Sequence, residues 1–562
     1  DDAKADLADL KDPDNYVLGR ADNIGYSCFE NDSSIVNGIA RVFPVFFFLV
    51  AALVCMTTMA RMVEEQRTQI GTLKALGYGN GAIAWKYISY SASAATIGCV
   101  AGFFGGIKLF PWVIWQAYGM LYGFAPILYV IDWKLFAVSL IVSLLCSAGV
   151  TYVTCRAEMT LMPAELMRPK TPKEGRRVLL ERIPFLWNRL NFLRKISLRN
   201  VFRYKKRLFM MVLGIGGCTA LLLTGLGIRD SISNIASDQF DNIMKYDFAI
   251  VFDEAQTLSE RSQFQKDTQE LLGTCVFVCA DTLEVPSSEG TKSVNVIACG
   301  DGDITQMLDL HMDGETVPYP ADGGVVISDK LARVAGVSAG DTITVRVGEK
   351  TEELPVCGVF ENYVYHYMLM TPETYETVFG EKCTYKSALA TSAGEDVHAV
   401  SAKLISDCGA ANVSVTADIR ARVANMMTSL NYIVVLVIAC AAALAFVVLF
   451  NLSNINITER VREIATIKVL GFYAPEVGAY VFRENFVLTV LGAAAGIPLG
   501  IWLHSFVMGQ INFDMVNFQV VIAPLSFAIA IATTFVFTFT VDLLMRGKLG
   551  KIDMVESLKA IE

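Results

Sequence analysis

The chain has 562 residues, 53% of them hydrophobic, and a formal net charge of -9 at pH 7. Because the apolar share of an ordinary soluble protein is about 45–50%, we expect a membrane to be the solvent for part of this chain. The negative net charge argues against nucleic acid as a general partner, since phosphate binding requires a basic surface.

The thirteen cysteines indicate no metal site and no clear disulfide framework. Six lie in apolar runs, where a thiol behaves as a small buried hydrophobe. The other seven are in polar segments, and their odd number prevents complete internal pairing, so a disulfide framework is the less favoured interpretation. These seven are Cys28, Cys275, Cys279, Cys299, Cys357, Cys383 and Cys408. No CxxC motif or Cys/His spacing indicates zinc, and we expect the four scattered histidines at the surface.

Seven runs of about 20 mostly apolar residues have the length that a helix needs to cross a bilayer. Each is nearly free of charge, so no polar conduction path is expected through them. This pattern favours a polytopic α-helical membrane protein over a soluble protein with buried helices. The runs cover residues 43–60, 87–110, 135–155, 208–228, 432–451, 477–503 and 520–544.

The charges of the connecting segments orient these spans. Residues 156–207 carry a net charge of +11, whereas residues 229–431 carry a net charge of about −17. Because Lys and Arg are enriched in cytoplasmic loops, the first segment is predicted in the cytoplasm and the second outside the membrane. Alternation then places residues 1–41 and 504–519 outside, and residues 61–86, 453–476 and 545–562 inside.

Two of the predicted cytoplasmic loops repeat one another at an offset of 394 residues. Residues 64–78 read EEQRTQIGTLKALGY, and residues 458–472 read TERVREIATIKVLGF. Glycines in the following spans keep the same offset and form overlapping GxxxG motifs, which allow close helix packing. They are Gly98, Gly102 and Gly106 in the first copy and Gly492, Gly496 and Gly500 in the second.

The repeat predicts two copies of a three-span unit. The second copy is preceded by one further span and a large outer domain, so the arrangement is three spans, then one plus three. The first copy lacks these leading parts in this sequence, and we expect the parent protein to continue upstream of Asp1.

Each repeated loop is predicted to be a short amphipathic helix. Gly77 has the residue type and the position of a left-handed helix terminator. Ile70, Leu73 and Leu76 recur at roughly the spacing of one helix face, with Glu65 and Lys74 beside it. Such a helix, present twice, suits docking on a pair of similar partner surfaces. The alternative is that the apolar face packs only against the rest of the chain.

A basic face precedes the fourth span. Arg199, Arg203 and Arg207 recur at i, i+4 spacing. They are predicted to belong to an interfacial helix held by anionic lipid, and ordinary positive-inside flanking explains them equally well.

The outer segment alternates β-like stretches, such as residues 342–347, with helical stretches, such as residues 372–379. This alternation predicts an α+β domain. An aromatic and methionine cluster at residues 363–370 is interpreted as a strand over the domain's own core, with contact to an apolar or peptide ligand as the alternative.

The two loops end in Leu-Gly-aromatic between the first and second of three spans, and in this they resemble the FtsX-like permease signature. Residues 197–207, which lead into a span, and residues 163–165, after the last span of the first unit, resemble the same family. The outer segment GGVVIS at residues 323–328 is similar to the external domain of MacB-like permeases. Gln69 and Met554 depart from the family pattern.

The resemblance implies the permease subunit of a bacterial ABC transporter in the plasma membrane. It would couple ATP hydrolysis by a separate ABC ATPase, expected as a dimer, to movement of the outer domain for export or extraction of a substrate. No GxxxxGK[ST] phosphate loop is present, so the chain is predicted to be no enzyme and to bind no cofactor, with ATP acting through the partner. Membrane lipids and an extracytoplasmic substrate or adaptor are the other expected partners.

The same resemblance assigns the loops as ATPase-coupling helices. The candidate residues are Glu65, Ile70, Leu73, Lys74, Leu76 and Gly77 in the first loop, and Glu459, Arg460, Glu463, Ile464, Lys468, Leu470 and Gly471 in the second.

The predicted organisation has seven parts. They are the end of an extracytoplasmic region (1–41), an FtsX-like three-span unit (42–155), a basic cytoplasmic linker with the interfacial helix (156–207), one span (208–228), an extracytoplasmic MacB-like α+β domain (229–429), a second three-span unit (430–545) and a cytoplasmic tail (546–562).

The alternative function is a sensor or regulatory scaffold in antimicrobial-peptide resistance or in control of cell-wall hydrolases. A neighbouring gene for a two-component kinase would favour sensing, and one for a periplasmic-adaptor-like protein would favour efflux. A membrane enzyme is the least favoured function, because no nucleophile with its base is evident.

The orientation can be tested with cysteines engineered into residues 156–207 and into residues 229–431. In intact cells, a membrane-impermeant thiol reagent is expected to label the second segment and to spare the first, because charge bias places them on opposite sides. Labelling of the first segment alone would contradict this prediction and indicate the opposite orientation.

Overall fold

The computed structural model describes residues 24–119, 126–168, 195, 202, 205–287, 290–299, 304–347, 350–394, 396–510 and 516–550. Among these residues, seven helices are long and apolar enough to cross a membrane. The predicted number of spans is therefore confirmed, although the helices extend beyond the apolar runs. The chain divides into an outer-domain unit and a membrane unit, and each is described by itself.

The first half of the membrane unit contains three long helices and two short ones. Ser91 and Ser147, on the second and third long helices, share a hydrogen bond of 2.5 Å, and Thr151 donates to Ser91 at 2.9 Å. Ser147 lies in a π-helical turn, a local irregularity that projects its side chain towards the neighbouring helix. The helices are α1 (Ile24–Glu65), α2 (Arg67–Ala75), α3 (Asn80–Tyr118), α4 (Trp133–Met159) and α5 (Pro163–Met167).

Helix α6 (Lys205–Ser233) precedes the outer domain, which has both strands and helices. Its large sheet has nine strands in the order β11-β1-β10-β2-β3-β9-β6-β8-β7, and β4 and β5 form a separate ribbon. The strands are β1 (Phe248–Val251), β2 (Leu272–Ser287), β3 (Gly290–Ala298), β4 (His311–Met312), β5 (Glu315–Thr316), β6 (Val325–Ser328), β7 (Thr342–Val347), β8 (Lys350–Phe360), β9 (Tyr367–Met370), β10 (Ser387–Ser392) and β11 (Asn412–Val415). The helices are α7 (Leu258–Asp267), α8 (Asp329–Ala335), α9 (Pro372–Phe379) and α10 (Val397–Ser406).

The core of the outer domain explains the aromatic and methionine cluster. Met368 and Met370 of β9 are fully buried in a cluster that also contains Val296 and Ile327. The strand interpretation is therefore confirmed for these residues. Sequence pattern correctly predicted an α+β domain, because alternating burial on the strands and capped short helices are both local features.

A short segment between the sixth and seventh spans, residues 516–519, also belongs to the outer-domain unit. We call it the strap. Val516 forms an antiparallel β-bridge with Val364, and its carbonyl oxygen accepts a hydrogen bond of 2.8 Å from Lys330 Nζ. Because these segments touch, the strap and the outer domain lie on the same side of the membrane.

Asn517 is the most heavily bonded residue of the strap. Its Nδ2 donates to both carboxylate oxygens of Asp329, at 2.9 and 2.7 Å, and its backbone N–H donates to Tyr363 O at 2.7 Å. Arg333 donates to the Asn517 amide oxygen. Tyr363 opens a turn in which Tyr365 has a positive φ of 62°, an uncommon conformation for a large side chain.

The second half of the membrane unit repeats the order of the first half. The helices are α11 (Thr416–Glu459), α12 (Val461–Val469), α13 (Ala474–Gln510) and α14 (Pro524–Gly550). The 44 residues of α11 lead from the last outer strand to the second loop without interruption.

The second glycine triplet packs against α6. A Cβ on Gly492 would lie 2.6 Å from Ile215 Cβ, and a Cβ on Gly496 would lie 2.7 Å from Gly216 O. Real Cβ atoms do not approach that closely, so only glycine permits this helix contact. The packing role predicted for the triplet agrees with these distances.

The first triplet behaves differently among the described residues. A Cβ on Gly98 or Gly102 would meet nothing within 4 Å, and one on Gly106 would meet only Phe110 of the same helix.

Two expectations from the sequence are wrong, and a third concerns residues outside the described part of the chain. His366 and His504, expected at the surface, are 6% and 1% exposed. His504 packs against Gly227 of α6. The spans also contain buried polar and acidic side chains, described below. Arg199 and Arg203 lie outside the described residues, as does the side chain of Arg207.

The glycine contacts generate a matched pair of substitutions. Gly496→Leu is expected to destabilise the chain by about 3 kcal/mol or more, because a leucine cannot fit against the α6 backbone. Gly102→Leu, at the equivalent position of the first copy, is expected to change stability by less than about 0.5 kcal/mol. Thermal unfolding of both variants in detergent measures the difference, and equal effects would contradict the assigned packing.

Candidate functional site: the two repeated hairpins

Each repeated loop forms a hairpin of one short helix between two spans. Helix α2 follows α1 after a break at Gln66, and α12 follows α11 after a break at Arg460. Both short helices end at a glycine with a φ of 92°, Gly77 and Gly471. The glycine terminators predicted from the sequence are confirmed.

The hydrogen bonds at these ends are those of a Schellman motif. In the first hairpin, Tyr78 N–H donates to Leu73 O at 3.1 Å, and in the second, Phe472 N–H donates to Ile467 O at 3.4 Å. A left-handed glycine followed by an inward-pointing N–H satisfies the last helical carbonyls. The two hairpins therefore share one backbone geometry as well as one sequence pattern.

One isoleucine at the base of each hairpin, Ile70 in the first and Ile464 in the second, is buried within the membrane unit. We call these residues the roots of the hairpins. Ile70 is 0% exposed and packs in a cluster with Val63, Tyr87 and Leu166, and Ile464 is also 0% exposed. The expectation that Ile70 and Leu76 share one outward face is wrong. Six residues at 100° each separate these two side chains by about 120° around a helix.

The lysines of the hairpins also bond within the chain. Lys74 Nζ donates to Met159 O at 2.7 Å and to Leu161 O at 2.8 Å. Lys468 Nζ donates to Leu549 O at 2.8 Å. These carbonyls lie at the C-terminal ends of α4 and α14, where the helix leaves backbone acceptors without partners. The lysines cap the last span of each unit.

Helix α5 supports the first hairpin from beneath. A Cβ on Gly71 would lie 3.1 Å from Leu166 Cβ and 3.2 Å from Pro163 O, so α5 and α2 are in close contact. The second copy has the fully buried Ala465 at the matching position. Residues 553–559, which match α5 in sequence, lie outside the described residues.

The tips of the hairpins are exposed and apolar. Leu76 is 70% exposed and Tyr78 is 57% exposed in the first hairpin. In the second, Leu470 is 71% exposed and Phe472 is 48% exposed, with Tyr473 beside them. We call these residues the first tip and the second tip. Large apolar side chains on a rigid, protruding turn are typical of a surface that another protein covers.

The charged residues of the hairpins differ between the copies. Arg460 is 4% exposed, and its Nη1 lies 2.5 Å from Oε2 of Glu484, which is 1% exposed on α13. Glu463 is 3.7 Å from Arg460 and half exposed. Arg460 therefore faces the interior and not a partner, contrary to the sequence expectation. The side chain of Glu459 lies outside the described residues.

The first copy has a glutamine in place of this arginine. Gln66, which matches Arg460, accepts a hydrogen bond of 2.8 Å from Tyr87 OH and one of 3.4 Å from Lys86 Nζ. Glu65 makes an exposed ion pair of 2.8 Å with Arg61. Both hairpins are thus fastened where the short helix begins. The first has a partly buried ion pair of 3.7 Å between Arg67 and Glu158 on α4, and the second has the more deeply buried pair of Arg460 and Glu484.

A polar network inside the spans continues from the second hairpin. Asn485 Nδ2 donates to Asp542 Oδ1 at 2.7 Å and to Ser453 Oγ at 2.9 Å, and Asn456 Nδ2 donates to Asn485 Oδ1 at 2.7 Å. These residues link α11, α13 and α14 beside a cavity of about 20 Å³, large enough for one water molecule.

The sequence contains a signal for this network. Glu484, Asn485 and Asp542 interrupt apolar runs, and an ionisable residue within a span is by default functional or paired. Asp542 and Glu484 correct the expectation that the spans are almost free of charge. Among the described residues, no group of three or more His, Cys, Asp or Glu side chains could hold a metal ion.

The equivalent helices that lead to the two hairpins meet. Asn451 Nδ2 on α11 donates to Thr58 Oγ1 on α1 at 2.8 Å. Thr58 lies eight residues before Gln66, and Asn451 lies nine residues before Arg460. The two copies are therefore in contact at nearly equivalent positions, close to both hairpins.

Comparison with known proteins places both copies in one family. Residues 41–157 and 435–554 match the sequence model described as FtsX-like permease C-terminal. No curated protein is similar enough to this chain to match it.

Two solved structures are similar to part of the chain. One is the extracellular domain of the ABC-type transporter YknZ from Gram-positive bacteria, with 14% identity, a TM-score of 0.23 and coverage of 30% of this chain and 99% of that one. The other is the periplasmic region of MacB from Actinobacillus actinomycetemcomitans, with 11% identity, a TM-score of 0.22 and coverage of 34% and 97%. The two matched segments contain the hairpins and the spans around them, so both three-span units are similar to the C-terminal region of FtsX-like permeases. The chain is a multi-pass protein of the plasma membrane with an extracytoplasmic segment.

Proposed function

We propose that this chain is the permease subunit of an ABC transporter and that its two hairpins dock on a separate ATPase, expected as a dimer. The observation that carries the proposal is the duplicated tip. An exposed leucine and an exposed aromatic flank a left-handed glycine in both copies, above a root that is buried in the chain. The sequence left two alternatives for the loop helix, docking or internal packing, and we assign docking to the tip and packing to the root.

The tips have the chemistry of protein-binding anchors. Leucine and aromatic side chains that protrude from a preorganised turn lose little conformational freedom when they enter a pocket. Two such tips in contacting copies suit two similar subunits. Leu76, Leu470 and Phe472 are therefore proposed as the contact residues, whereas Lys74, Lys468 and Arg460 hold the hairpins in place.

The proposed architecture is three spans, then one span, the outer domain and three more spans. Helix α11 supports mechanical coupling, because 44 residues of continuous helix, about 66 Å at 1.5 Å per residue, join the last outer strand to the second hairpin. ATP binding by the partner would shift the hairpins, and the helices would pass this movement to the outer domain. Export or extraction of a substrate would follow, with no cofactor bound by this chain.

Aspartate substitutions at the tips test the docking surface. Leu76→Asp and Leu470→Asp are each expected to weaken binding of the ATPase by about tenfold or more, equivalent to about 1.4 kcal/mol, because an unpaired charge enters an apolar contact. The measurement is recovery of the ATPase with the tagged chain from native membranes.

Leu258→Asp is the matched control, since Leu258 is 76% exposed on the outer domain. It is expected to leave recovery of the ATPase unchanged. All variants must insert into the membrane normally and keep the thermal stability of the unchanged chain. We expect this because Leu76, Leu470 and Leu258 are all exposed. Full recovery with the double tip variant would contradict the docking proposal.

The buried pair gives a second test, on stability. Glu484→Gln is expected to destabilise the chain by about 3–5 kcal/mol, because it leaves Arg460 buried without its counter-charge. Glu463→Gln, at an exposed partner of the same arginine, is expected to change stability by less than about 1 kcal/mol.

Thermal unfolding in detergent measures both variants. The double variant Arg460→Met/Glu484→Leu is expected to recover most of the loss, since apolar side chains of similar size can replace a buried ion pair. A double variant as unstable as Glu484→Gln would contradict the unpaired charge as the cause of the loss.

A further inference from the structure

The outer domain has a groove between the β4–β5 ribbon and helix α8, and Gly358 and Val359 of β8 also line it. The volume of this groove is about 890 Å³. Pockets that hold ligands have volumes of about 300–1,000 Å³, so the groove is large enough for a bound molecule. Its lining contains no residue of either hairpin.

Both walls of the groove are held in place by contacts within the domain. On one side the ribbon turns at Asp313 and Gly314, which have φ values of 50° and 82°, and Asp313 N–H donates to Glu361 Oε1 at 2.8 Å. Two-residue turns with positive φ match the twist of the strands they join. On the other side α8 ends at Gly336, which has a φ of 72°. The groove is therefore preformed, and a ligand does not have to order it.

The charged lining of the groove is mainly acidic. Asp313 and Glu315 are exposed on the ribbon. Asp329 also lines the groove, but it pairs with Arg333 at 3.1 Å, so these two residues of α8 add no net charge. The uncompensated negative charge of the lining is therefore that of Asp313 and Glu315, and it attracts a positively charged partner to the ribbon side.

Apolar side chains make up much of the remaining lining. They include Val317 of the segment after β5, Ala332 of α8, Val337 and Val359. A Cβ on Gly358 would lie 2.6 Å from Val317 Cγ1, so the base of the ribbon packs tightly on β8. A ligand with apolar groups as well as positive charge matches this lining.

The ribbon also has a strand edge beside the groove. In the antiparallel pair of β4 and β5, His311 lies opposite Thr316, and at the next position Val317 N–H donates to Leu310 O at 2.9 Å. Because hydrogen-bonded and non-hydrogen-bonded pairs alternate, the backbone N–H and C=O of Thr316 point away from β4. Thr316 lines the groove, and no further strand pairs with β5 in the part of the chain that the structure describes. An extended polypeptide can add to such an edge.

We propose that this groove binds an extended, basic segment of a partner polypeptide outside the membrane. The segment pairs with β5 through its backbone, places apolar side chains against the valines and places lysine or arginine beside Asp313 and Glu315. A second copy of this chain is a poor occupant, because residues 229–431 carry a net charge of about −17 and would repel the same surface. Binding here is independent of the contact between the hairpins and an ATPase, because only the outer domain takes part.

The test uses the full-length chain in detergent and a fluorescent probe peptide of alternating lysine and valine. Fluorescence anisotropy is expected to show saturable binding of this peptide and no binding of a glutamate–valine peptide of the same length. Added salt is expected to weaken binding, because the carboxylates of the ribbon are exposed. Absence of binding by the lysine–valine peptide at low salt would overturn the proposal.

Charge variants separate the groove from the acidic surface as a whole. Asp313→Asn/Glu315→Gln is expected to weaken binding about fivefold or more, and asparagine before glycine preserves the turn. Glu352→Gln/Glu353→Gln removes the same charge from exposed positions of β8 outside the lining and is expected to change affinity less than about twofold. Equal losses would show diffuse attraction to an acidic domain and would overturn the proposal.

Backbone variants test the pairing with β5. Thr316→Pro removes the N–H that points away from β4 and is expected to weaken binding about fivefold or more, whereas Thr316→Val keeps that group and the affinity. Probe peptides N-methylated at their valines or at their lysines test the same contact on an unchanged protein. One of them is expected to lose binding, since these N–H groups point to opposite edges of a strand. Undiminished binding of both methylated peptides, or of the probe to a folded Thr316→Pro chain, would overturn the proposed pairing. A dimer that Asp313→Asn/Glu315→Gln dissociates would also overturn it, by assigning the groove to a second copy.

Discussion

A helix that ends at the membrane surface presents backbone carbonyl groups that no further turn can satisfy. In this chain a lysine ammonium from the preceding hairpin fills that need in both copies, Lys74 at the end of α4 and Lys468 at the end of α14. Each bond joins the first loop of a unit to its last helix, across more than 80 residues of sequence. The hairpin cannot swing away from its unit without exposing these carbonyls again.

The same constraint explains why the tips and roots of the hairpins differ so sharply. Once the lysine and the buried isoleucine fix the short helix, the residues at its end cover little surface in the part of the chain that the structure describes. Leu76 and Leu470 are therefore left exposed by geometry, at a protruding turn whose backbone is set by glycine. A rigid support beneath an apolar tip is what a docking surface needs, because little order remains to be imposed on binding.

Much of the fold follows from local patterns, and the errors follow from distant contacts. The seven spans, the glycine terminators and α9 were predictable, because run length, residue type at a turn and capping act within a few residues. The role of Arg460 was not, since its partner Glu484 is 24 residues further along and on another helix. Helical periodicity likewise located the apolar residues of the first hairpin. It could not show that Ile70 is buried, by α5 and its neighbours, whereas Leu76 is exposed.

The strap has a consequence for dissection of the molecule. A recombinant outer domain cut as one continuous piece, residues 231–431, would lack residues 516–519. Asp329 would lose both hydrogen bonds from Asn517, and Tyr363 O would lose its backbone donor. A faithful soluble fragment must therefore carry the strap as an appended peptide or through circular permutation, and a fragment without it would report the properties of an incomplete domain.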